Sequence, residues 1–94
     1  MSGFTKKELQ AKTLTELIDI AEAQVQVIDG IRGWRTRVER MFPDESGKDE
    51  LTDIILEDQK TFKASKEDVL AAKEEIRTRR DETWRQSSGQ GAVK

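Results

Sequence analysis

Two groups of arginines and two tryptophans are the side chains of this sequence best equipped for chemistry, and the chemistry they suit is recognition. Arg32, Arg35, Arg37 and Arg40 surround Trp34, an interleaving of basic and aromatic residues that can grip phosphates and stack on bases. A second group, Arg77, Arg79, Arg80 and Arg85, lies beside Trp84. Both have a plainer explanation. The second group falls near a helix C-terminus, where cations complement the helix dipole, and is interrupted by Asp81 and Glu82. The first is expected to face the acidic stretch 49–58, which would cancel the field that phosphates need. Nucleic-acid binding is therefore the alternative reading. Trp84 is either a partner anchor, as Trp and Arg often are at interfaces, or a cap on the open end of the fold against Phe4.

Catalytic machinery is not in view. There is no cysteine and no histidine, so thiolate and imidazole metal ligands, Cys or His dyads and histidine pH switches are ruled out. No hydroxyl stands beside a base, no glycine loop has phosphate-cradling spacing, and every carboxylate has a place on a helix surface. The expectation is a non-enzyme with no cofactor, no metal and no small-molecule substrate.

The elements that must position these residues are helices. Thr5 with Glu8, and Thr13 with Glu16, have capping-box spacing, so a short N-terminal helix is expected to stop before a fresh start at Leu14. Apolar residues then recur in steps of three and four through Leu17, Ile18, Ala21, Val25, Ile28, Ile31, Trp34, Val38 and Phe42, which predicts one helix over about 14–42. Gly30 and Gly33 inside it are read as points of close approach or a bend, in preference to a full break. Pro43 and the turn formers after it reverse the chain over 43–47, with Asp44 or Ser46 capping the next helix. Leu51, Ile54, Ile55, Phe62, Val69, Ala72 and Ile76 predict a second helix over about 48–86. Ser65 and Asp68 also have cap spacing but sit in phase with the helix on both sides, so they are read as mid-helix. Residues 87–94 have the composition of a flexible tail.

These elements make an all-α fold, a long antiparallel, coiled-coil-like helical hairpin forming one domain over 1–86. With the turn near Glu45, residue i should face residue 90 minus i. Leu14 then meets Ile76, Ala21 meets Val69, and Ile28 meets Phe62 at the centre of the seam, with Trp34 beside Ile55 and Leu56. Arg32 falls near Asp58, Arg37 near Asp53 and Arg40 near Glu50. The first helix carries more apolar surface than one neighbour can cover, including a second row of Ile20, Val27, Trp34 and Met41 at seven-residue spacing. One outcome is that Phe4 and Leu9 fold over an end of that row to make a small three-helix core. The favoured outcome is that Ile20, Val27, Trp34 and Met41, with Trp84, form a partner interface that assembles hairpins into a bundle.

Composition agrees with a small helical protein. Of 94 residues, 38% are charged and 34% hydrophobic, with one proline, and the net charge of −2 argues for neither a nucleic-acid nor a membrane partner. No apolar run reaches the ~20 residues of a membrane span, and the N-terminus lacks the apolar core of a signal peptide. The expected place is the cytoplasm or the interior of an assembly such as a virion. The expected role is a non-catalytic protein–protein interaction module, a homo-oligomeric assembly, scaffold or adaptor subunit, of the kind viruses encode as structural or host-inhibitory proteins.

Overall fold

Each capping signal in the sequence begins a separate helix, and two left-handed residues end helices that periodicity alone would have continued. The computed structural model describes the backbone of residues 3–93 and side chains through Glu82, and over that range it is all-helical. The helices are α1 (Lys6–Gln10), α2 (Leu14–Asp29), α3 (Arg35–Met41), α4 (Lys48–Phe62) and α5 (Lys66–Val93), with a short 3-10 helix at Glu45–Gly47.

The N-terminal caps are those the spacing predicts. Thr5 Oγ1 accepts from the Glu8 amide at 3.1 Å, and the Glu8 carboxylate accepts from the Thr5 amide in return. Thr13 Oγ1 accepts from the Glu16 amide at 3.2 Å and starts α2. Asp44 caps the 3-10 turn through the Ser46 amide at 3.0 Å, and its carboxyl is held below the ordinary range by bonds from the Ser46 hydroxyl and amide.

The single helices expected over 14–42 and 48–86 do not exist. Gly30 ends α2 with φ of 68° while its amide still bonds the Gln26 carbonyl, and Gly33 repeats the left-handed conformation at 76°. A side-chain-bearing residue adopts that region only with strain, so these glycines serve a full break and not close packing. The second helix ends at Lys63, a non-glycine residue at φ of 53°, and Ser65 starts α5 by accepting from the amide of Asp68 through Oγ and from that of Val69 through its carbonyl. The Ser65 and Asp68 pair is thus a true helix start.

With two breaks the hairpin register is lost. Glu22 meets Arg80 and Gln26 meets Arg79, where the hairpin sets them against Asp68 and Ala64. Phe62, expected at the centre of the seam, is 57% exposed. The ion pairs formed among the described residues do not include Arg32 with Asp58, Arg37 with Asp53 or Arg40 with Glu50.

In place of the hairpin, α2 is central and packs against α5, α4 and α3. Residues Ile20 to Gln24 of α2 are all buried, the mark of a helix covered on every side. The wide apolar sector of this segment is therefore covered from within the chain. A straight second helix would shield one face of α2, but the break at Lys63 lets α4 and α5 shield two. Two buried polar side chains are satisfied inside: Gln24 Nε2 donates to the Ile55 carbonyl at 2.9 Å, and Thr52 Oγ1 donates to the Lys48 carbonyl at 2.9 Å.

The N-terminal segment completes the core, the outcome not favoured by the sequence. Phe4 and Leu9 are buried and α1 lies on α4. Gln59 fastens it by using its amide as a backbone surrogate, accepting from the Phe4 amide at 2.7 Å and donating to the Phe4 carbonyl at 2.9 Å. Lys66 bonds Glu8, which lowers the Glu8 carboxyl below its ordinary value, and its ammonium lies 5.4 Å from the Phe4 ring centre.

Candidate partner-binding site

Breaking the first helix re-aims α3 across α2 and leaves an open groove of about 280 Å³ between α3 and α4 with α2 as its floor. From α2 come Ala21, Gln24, Val25 and Asp29. Trp34, Val38, Met41 and Phe42 line the α3 side, and Leu51, Ile54, Asp58 and Phe62 the α4 side. Val38, Phe42 and Leu51 belong at once to the core and to the groove lining. Met41 and Phe62, by contrast, are 58% and 57% exposed, two large apolar side chains on one opening.

Local sequence explains the exposure on both sides. Met41 is the last residue of α3, and Phe62 the last of α4, so neither has a following turn of its own helix to lie against. Trp34 is half-buried against the core, and the Arg37 guanidinium lies 4.8 Å from its ring centre, a cation–π contact that holds the indole in place. Gly47 steadies the base of α3, since a Cβ there would meet Phe42 at 2.7 Å.

Two carboxylates interrupt the apolar lining, and the lining has no cation. Burial raises the Asp58 carboxyl above its ordinary value, and the nearby charges of Asp29 and Glu57 raise it further. None of the ion pairs formed among the described residues involves Asp29 or Asp58.

The predicted partner row is divided by the fold. Ile20 is 1% exposed and belongs to the core, so it cannot meet a partner, because α2 turns it inward against its own neighbours. Val27 is on the surface but not in the groove lining, while Trp34 and Met41 are in it. Phe62, Ile54, Asp29 and Asp58 are groove residues that the sequence reading did not assign to a site. Taking Ser65 as a helix start would have placed Phe62 in an exposed last turn. Trp84, Arg85 and the stretch 87–94 lie outside the residues whose side chains are described.

The arginines are likewise dispersed. Arg35 bonds Asp19 and reaches Glu39 at 3.5 Å and Glu22 at 3.9 Å; burial works against its charge, but these three carboxylates outweigh it and raise its affinity for the proton. Arg80 donates to the buried Glu22 at 2.9 Å, and Arg79 donates to Gln26 at 2.6 Å. Arg32, Arg37, Arg40 and Arg77 are exposed. A second cleft, about 240 Å³ between α2 and α5, mixes Asp19, Glu22 and Glu74 with Lys73, Arg77 and Arg80, so its charges largely answer one another. Among the described residues no cluster of potential metal ligands occurs, and no helix is long and apolar enough to cross a membrane.

Compared with protein-family models, with curated proteins and with solved structures, the chain matches none.

Proposed function

We propose that the chain is a non-catalytic protein–protein interaction module, an adaptor or assembly subunit that receives a helix of its partner in the groove over α2. The observation that carries this reading is the exposure of Met41 and Phe62 on an apolar groove whose lining includes the core residues Val38, Phe42 and Leu51. Large apolar side chains grouped on one opening mark an interface more often than a resting surface. A volume near 280 Å³ is at the small end for a small-molecule pocket, yet it suits a few side chains of an inserted helix. Methionine in that lining adapts to differing partner shapes. The arginines support the nucleic-acid alternative less well, because Arg35 and Arg80 are committed to carboxylates inside the fold.

Capture from cells of the source with tagged protein tests the assignment. Wild type and Leu70→Glu, which alters an exposed leucine on α5, should retain the same partner, while Met41→Glu and Phe62→Glu should each reduce it at least tenfold. Full retention by both groove variants would overturn it.

A further inference from the structure

We infer that the groove's partner is a basic amphipathic helix of another protein, which sets apolar residues on Trp34, Met41 and Phe62 and a Lys or Arg between Asp29 and Asp58. This inference rests on the groove being the interaction site. The charge pattern carries the partner's chemistry. The lining holds two carboxylates and no cation, although Lys and Arg together number 17 in the chain. Both carboxylates are placed against their own electrostatic interest. Asp29 is the last residue of α2, where the negative end of the helix dipole disfavours it and the last turn carries no basic residue. Asp58 is partly desolvated and lies near Asp29. A cation brought between them relieves both placements at once, and the apolar lining lowers the dielectric that would otherwise weaken the attraction.

A second copy of the chain fits less well. Among the described residues, the large apolar side chains left exposed are Val27, Ile31, Met41, Phe62 and Leu70. Met41 and Phe62 belong to the groove, Val27 and Ile31 stand on either side of the break at Gly30, and Leu70 has no exposed large apolar neighbour among the described residues of α5. None of these makes the row at i, i+3 or i+4, and i+7 with which a helix fills a groove.

The test uses the full chain, isotopically labelled, titrated with two synthetic helical peptides that share one leucine row and differ only in carrying lysine or glutamate on its flanks. Sedimentation velocity at tens of micromolar accompanies it. The lysine peptide is expected to shift the amides of Val25, Asp29, Met41, Ile54, Asp58 and Phe62 and to bind at least tenfold more tightly than the glutamate peptide. The Asp29→Asn, Asp58→Asn double variant, which removes repulsion and so keeps the fold, should reduce that preference to less than threefold. Equal binding of both peptides at the groove would overturn the basic partner while leaving the interaction site standing. Absence of groove shifts with either peptide, with Met41→Glu failing to change cellular capture, would overturn both. A wild-type dimer that Met41→Glu dissociates would identify the occupant as a second copy and overturn the inference.

Discussion

Lys63 and Gly30 do the same conformational work with opposite fitness for it. Both end a helix in the left-handed region, at φ of 53° and 68°, where a Cβ meets its own backbone and only glycine is free of strain. Nothing lies within 4 Å of a Cβ added at Gly30, so any cost of substitution there is conformational and not a clash. Lys63→Gly should therefore raise stability by about 0.5–1 kcal/mol, and Gly30→Ala should lower it by about 1 kcal/mol, in urea unfolding followed by circular dichroism. The same residues show what the sequence withheld. Gly30 and Gly33 were visible as a cost inside a helix, but a bend, a close approach and a break all explain a glycine. Lys63 carried no signal, since lysine is an ordinary helix former; its conformation follows from Ser65 starting a new helix two residues on.

At the scale of elements, the starts of α1 and α2 and the reversal at Pro43 were legible, and the breaks at Gly30 and Lys63, with the starts of α3 and α5 after them, were not. Thr5 and Thr13 cap where their spacing predicts, because a short side-chain oxygen reaching an amide three residues on is a local event, whereas Asp44 caps the 3-10 turn and α4 starts at Gly47 with no side-chain cap. The break before α5 was missed because its apolar residues stay in helical phase with those of α4, so periodicity argued for continuation against the cap. The breadth of the apolar sector on α2 was also legible, but its cause was not: a wide sector tells how many neighbours a helix has and not whether they belong to the same chain. Here α5 is one of them, and its docking includes the pairing of Arg80 with Glu22, whose carboxylate is 5% exposed as a residue. Arg80→Ala leaves a buried carboxylate with only the longer contact to Arg35, and should cost about 1–2 kcal/mol. Glu22→Met removes the buried charge itself and should cost less than Arg80→Ala in the same urea titration, because an apolar side chain of similar size can fill the space.

For the whole molecule, the two breaks convert what would have been a seam into a core plus a groove. A continuous hairpin would have spent Ile28, Trp34 and Phe62 on its own interior. The observed fold closes its core with Phe4, Leu9 and the two faces of α2, and leaves Trp34, Met41 and Phe62 at an opening with Asp29 and Asp58. Part of the groove lining was therefore within reach of the sequence: Trp34 and Met41 were on the predicted row, while Ile20 was lost to the core and Phe62 came from the other side of the presumed seam. The proposed function requires that a partner sit in that groove. Hydrogen exchange of the protein alone and with its captured partner measures this directly. Slowed exchange over 35–41 and 51–62, with 66–82 unchanged, is the predicted result; slowed exchange confined to 66–82, on α5, would contradict it.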